Sequence, residues 1–183
     1  MTCYTILKTS GVGDLLLVSN AKQLTGVYFR DCEHVPAMPD EWKFDPAQPV
    51  LLQAEAELQE YLTGARTAFS VPLHYAGTDF QNEIWRQIAL IPFGETVTYT
   101  ELARRAGAPE AVRAAGTAAG KNPLGIIIPC HRVVGKHGAL GGYAGGLKRK
   151  QHLLALEKSY REKPGSIGTA GFQTCCIAGF QTR

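Results

Sequence analysis

The chain has 183 residues, 45% of them hydrophobic, and a formal net charge of +3. That is enough apolar material for one core, or for two small cores in contact, and it excludes a largely disordered chain. No run approaches the roughly 18 apolar residues of a membrane-crossing helix, and MTCYTILKTS lacks the basic-then-apolar order of a secretory signal. The expectation is a soluble intracellular protein.

The segments CYTILKT, LLLVS and LTGVYFR, separated by SGVGD and a second polar turn, predict three short strands in an antiparallel meander. Residues 35–49 form a proline-rich acidic loop. Leu51, Ala54, Leu58 and Leu62 then recur at helical spacing, and Gly64 supplies a stop. Residues 1–77 are therefore expected to form a small N-terminal α/β scaffold.

Thr78 and Gln81 stand at capping-box spacing, with Phe80, Ile84 and Ile88 on one helical face and Pro92 and Gly94 ending the helix. TYTELARRAG repeats the device, with Thr98 as N-cap, Glu101 three positions on and Gly107 as the stop. Pro109 suits the first helical position of PEAVRAAGTAAGKN. Two short helices around a glycine-containing turn make a helix-turn-helix candidate, although many such corners bind nothing. The expected class is α/β (α+β), an antiparallel scaffold followed by a helical domain over residues 78–160.

The second of these helices is almost bare. Ala114, Ala115, Gly116, Ala118, Ala119 and Gly120 carry little bulk, whereas a major-groove reader needs long polar side chains. Close packing on the core explains this, and so does entry into a minor groove about 6 Å wide. Arg113 reads equally as a wedge into a base stack or as an ordinary exposed arginine. Residues 99–150 hold nine Lys or Arg against Glu101 and Glu110, a formal +7 that leaves −4 for the rest. A polyanion is one partner for such a stretch, and solvated helix faces are the other explanation.

Five cysteines at 3, 32, 130, 175 and 176 show neither disulfide nor zinc spacing. Cys3, Cys32 and His34 are the one conceivable trio, and no metal is expected. Cys130 differs, because IIIPCHRVVG places it behind an apolar run read as a buried strand and bounded by Pro129. A reactive thiol needs a base or a positive field. His131 adjoins Cys130, but extended backbone sends neighbouring side chains apart, so a bend after Pro129 must bring them together, directly or through water. Glu157, on the helix predicted for LKRKQHLLALEKS, is the candidate to orient the histidine. A buried, inert cysteine stays open on these grounds.

PCHRVVG, with FQNEIWRQIALIPFGETVTY before it and GGYAGGLKRKQHLLALE after it, resembles the O6-alkylguanine-DNA alkyltransferases, in register from about residue 78 to 157. The resemblance implies direct-reversal repair: alkylguanine is flipped out of duplex DNA bound through its minor groove, and the alkyl group passes irreversibly to Cys130. O4-alkylthymine is a further possible substrate. It implies that His131 and Glu157 withdraw the thiol proton through water, that Asn122 braces the adjoining turn, and that Tyr99 meets the base at N3. Arg113 fills the stack, with Ala114, Ala115, Gly116, Thr98, Lys121 and Arg132 at the DNA. Tyr143, Ala144, Ala119 and the carbonyl of Val133 line the pocket. No cofactor is implied, and the protein is expected to act as a monomer in the cytoplasm, at a prokaryotic nucleoid or in a eukaryotic nucleus. A turnover cysteine hydrolase and a non-catalytic lesion binder are the competing classes; Cys130 argues against the latter. AGFQT occurs at 170–174 and 178–182, in a tail from 161 read as disordered.

Overall fold

A computed structural model describes residues 1–32 and 35–162; His34, Cys175, Cys176 and the repeated AGFQT lie outside the described residues. Strands β1 (Cys3–Leu7), β2 (Leu15–Ser19) and β3 (Leu24–Phe29) form the predicted meander, antiparallel throughout. Leucine and valine at every inner position bury β2 along its whole length. The proline-rich loop contains a short strand the sequence reading missed, β4 (Lys43–Phe44), which pairs parallel to β1 and gives the order β3-β2-β1-β4. Two residues carry too little periodicity to be seen in advance.

Helix α1 (Pro49–Leu62) covers the sheet with Val50, Leu51, Ala54, Leu58 and Tyr61. It ends where Gly64 adopts φ +75°, a left-handed conformation open to glycine at little cost. Helix α2 (Asp79–Ala89) starts from the predicted capping box, with Thr78 and Gln81 each bonding the other's backbone. After β5 (Val97–Thr98) comes α3 (Tyr99–Arg105), capped by Thr98 as expected.

Helix α4 (Val112–Gly120) begins later than predicted: Pro109 lies in a turn closed by the Ala111 N–H on Ala108 O, and Ala111 offers no side-chain cap. Helices α2, α3 and α4 pack together, and the Trp85 indole donates to Ala118 O at 2.8 Å. The apolar run 126–128 is not a strand. It is buried turn structure, followed by a short 3-10 turn at Cys130–Arg132 and by β6 (Val133–Val134), which pairs parallel with β5. Helix α5 (Leu147–Arg161) closes the described chain.

The two halves share one boundary strand. The free edge of β3 bonds residues 72–74 through the Leu24 and His74 N–H groups, and residues 123–125 through the Val27 and Gly125 N–H groups. An otherwise open sheet edge is thereby satisfied, and the loop leading to Cys130 is fastened to the N-terminal sheet. A Cβ on Gly125 would meet Val27 O at 3.0 Å, so this close approach favours glycine.

Candidate functional site

Two tight turns present Cys130. The Ile127 N–H reaches Gly125 O at 2.8 Å across Ile126, whose φ is +69°. The Cys130 N–H reaches Ile128 O at 2.8 Å across Pro129, at φ −80° and ψ 62°. The second is an inverse γ-turn, and the first the rarer form of positive φ. A β-branched residue at positive φ costs on the order of 1–3 kcal/mol and persists only where its surroundings over-determine it. Asn122 supplies that constraint: its side chain accepts from Leu124 N at 3.0 Å and donates to Ile128 O at 2.8 Å. The same amide nitrogen lies 3.2 Å from Cys130 Sγ. Three isoleucines therefore fill the core while their backbone bends, which is why an apolar run misread as a strand ends on a thiol.

Behind the thiol, His131 Nε2 lies 2.9 Å from Glu157 Oε1, and both side chains are fully buried. Glu157 is saturated with donors. Arg132 approaches both oxygens at 2.9–3.1 Å, the Gly94 N–H reaches Oε2 at 2.8 Å, and the Tyr61 hydroxyl reaches Oε1 at 2.5 Å. Since a carboxylate only accepts, the hydrogen of the neutral imidazole sits on Nε2 and the lone pair on Nδ1. Nδ1 is buried and has no protein partner. Tyr61 and Gly94 were not anticipated; neither carries a local signal, since each meets Glu157 across more than sixty residues.

Burial dominates the electrostatics. It pushes the Cys130 thiol above its ordinary range, against the smaller downward pull of the Asn122 bond and of the Lys150 charge. His131 is pushed down by burial despite Glu157, which keeps the ring neutral and able to accept a proton. Burial would raise Glu157, but the His131 hydrogen bond and the Arg132 charge outweigh it and hold the carboxyl at about 2.

A cavity of about 240 Å³ lies at the thiol, bordered by Asn122, Gly125, Cys130, Tyr143 and Ala144 together with Val27, Phe29 and Cys32. Tyr143 and Ala144, expected at the substrate pocket, are among these bordering residues. Ala119 and Val133 are not among the bordering residues. The Val133 carbonyl instead accepts from buried Lys150 at 2.6 Å. The Tyr99 ring lies beside Gly116 and the chain at Gly141, and its hydroxyl donates to Gly142 O at 3.2 Å. Burial, then the nearby Cys130, raise its phenol.

The residues expected at DNA divide. Arg113, Ala114 and Lys121 are exposed, and Gly116 and Thr98 are half-buried. Ala115 is a correction, fully buried on the inner face of α4. Arg132 is another: it is buried with Glu157 and donates to Ile91 O, so its charge is internal. Lys150 is likewise buried and Arg149 pairs with Asp31, while Arg104 and Arg105 both pair with Glu101. Much of the +7 stretch is therefore internal or neutralised.

Two family models match. Residues 79–159 fit the 6-O-methylguanine DNA methyltransferase DNA-binding domain, and residues 3–75 its ribonuclease-like domain. The methylated-DNA–protein-cysteine methyltransferase of Mycobacterium tuberculosis H37Rv is 43% identical over 150 residues, which is 82% of this chain and 89% of the relative. The constitutive enzyme of that name from Bacillus subtilis 168 is 39% identical over 171 residues, covering 89% of this chain and all of the relative. The crystal structure of Mycobacterium tuberculosis OGT in complex with DNA superposes with a TM-score of 0.79 at 41% identity, over 86% of this chain and 93% of that one. A thiol braced at a bend, with a buried histidine and carboxylate behind it, thus occurs in a chain that belongs to the methylated-DNA–protein-cysteine methyltransferase family.

Proposed function

We propose that this protein repairs alkylated DNA directly, moving the alkyl group from O6 of guanine in duplex DNA to Sγ of Cys130, once per chain. The observation that carries the reading is Cys130 itself: it is 7% exposed, borders a cavity, is bonded by Asn122, and adjoins a neutral histidine held by an ionised carboxylate. Family membership supports DNA as the partner and transfer to a protein cysteine as the reaction.

The thiol proton passes to His131 Nδ1 through a bridging water, and Glu157 stabilises the imidazolium that forms. Sγ then attacks the alkyl carbon in line. The S–C bond forms as the C–O6 bond breaks, and guanine leaves with the electron pair. The Tyr99 hydroxyl, donating at N3, stabilises the charge developing on that leaving base. No redox step or co-reactant is needed, and the thioether has no route back to a thiol.

An alkyl group inside duplex DNA is reached by flipping the nucleotide out. Arg113, exposed in the first turn of α4, fills the gap, and the bare outer face at Ala114 and Gly116 allows close approach to the minor groove. A single chain carries every residue named here, so the active form is a monomer.

The test is stoichiometric. Methyl groups removed from a labelled O6-methylguanine duplex should plateau at one per chain and be absent with Cys130→Ser. Continued turnover would replace this reading with a hydrolase or an ordinary transferase.

A further inference from the structure

Tyr61 stands in the last turn of α1, in the half of the chain remote in sequence from the acceptor, yet its side chain is fully buried against the site. Phe69 and Phe93 hold its ring at centroid distances of 5.3 and 6.0 Å. Its hydroxyl donates to Glu157 Oε1 at 2.5 Å and lies 3.3 Å from His131 Nε2. The oxygen that accepts from the histidine is therefore the oxygen that accepts from the tyrosine.

We infer that Tyr61 is a positioning residue for alkyl transfer: by sharing Glu157 Oε1 with the His131 ring, its hydroxyl sets the basicity of the histidine that withdraws the Cys130 proton. This rests on the proposed role of His131 as that base. The groups acting on the imidazole are Glu157 and Lys150 from α5, Arg132 from its own turn, Tyr143 from the loop before α5, and Tyr61 from α1. Arg132 and Lys150 oppose protonation of the ring, and Glu157 is the anion that favours it. A strong donor on Oε1 draws charge from that anion and so keeps the ring neutral at lower pH. The N-terminal scaffold thereby contributes to the chemistry as well as to the packing.

Tyr61→Phe keeps the ring volume and removes the donor. Single-turnover transfer from a saturating O6-methylguanine duplex, followed from pH 5 to 8.5, should show the acid limb moving up by about one pH unit. The loss of rate is then several-fold larger on the limb than on the plateau. Replacing Tyr61 by 3-fluorotyrosine, a stronger donor of the same shape, should move the limb the other way. A uniform loss at every pH, or a limb unmoved in both variants, would overturn the inference. His131→Asn separates the two readings. If it abolishes the limb while the Tyr61 variants leave it alone, only the tyrosine's role falls. If it changes neither rate nor limb, the base assignment falls as well.

Discussion

The side-chain amide of Asn122 touches two atoms of the acceptor turn at once, Ile128 O at 2.8 Å and Cys130 Sγ at 3.2 Å. It therefore both holds the strained bend and favours the thiolate. Asn122→Ala should cost on the order of 1–3 kcal/mol in unfolding free energy, since buried backbone groups lose their partner. The thiol, already raised by burial, should rise further without the Asn122 bond, slowing transfer at neutral pH about tenfold. Asn122→Asp should be slower still, because an anion replaces the donor. Transfer and denaturation series on the two variants check both parts; an aspartate variant faster than the alanine variant contradicts the electrostatic part.

Glu157 is ionised down to about 2 in the folded protein, against about 4.3 when unfolded. A carboxyl depressed in this way contributes stability above its unfolded value and loses it as pH falls through the folded one. His131, buried and pushed down, acts in the same direction from about 6.5 downward. The urea midpoint of the parent protein should therefore fall steadily from about pH 6.5 towards pH 2. Glu157→Gln should lower stability at pH 7 by about 3–5 kcal/mol, because Arg132 is left buried without its counter-ion, and should flatten the dependence below about pH 4. Equal midpoints at pH 3 and pH 7 in the parent would contradict this.

Arg113 is exposed, and its backbone carbonyl accepts from Thr117, so truncating its side chain spares the helix. Arg113→Ala should slow repair in duplex DNA by tenfold to hundredfold, from a flipping cost of a few kcal/mol. Transfer from free O6-benzylguanine, which needs no flipping, should be unchanged. Equal slowing on both substrates would assign the arginine to the fold or the pocket.

Of the basic residues in the +7 stretch, Arg113, Lys121, Lys136 and Lys148 are the exposed ones without an ion pair among the described residues. At about 0.9 released counter-ions per phosphate, the affinity for undamaged duplex should fall with a log–log salt slope no steeper than about −4. Fluorescence anisotropy between 50 and 300 mM salt measures it. A slope of about −5 or beyond would mean that Arg104 and Arg105 leave Glu101 for the backbone.

The residues that reveal most in sequence are those acting on near neighbours. Thr78 with Gln81, and Thr98 with Glu101, marked helix starts the structure reproduces, because capping geometry is local. Leu51, Ala54 and Leu58 marked the buried face of α1 for the same reason. Cys130 stood out through its proline and histidine, but the run before it was misread. Burial alone does not separate a strand from buried turns, and the bend at Ile126 depends on Asn122, reached through space. Arg132 carried the opposite error: the resemblance put it at the DNA, whereas its buried partner is Glu157, twenty-five positions away. Tyr61 gave no signal because a tyrosine on an apolar helix face has the pattern of core.

The most direct test of the account is the site of the transferred group. After one equivalent of O6-methylguanine duplex, mass spectrometry of the digested protein should find a single methyl on the peptide containing Cys130, with Cys3 and Cys32 unmodified and the DNA restored to guanine. Repaired DNA with an unmodified Cys130 peptide, or methyl on another cysteine, would contradict it.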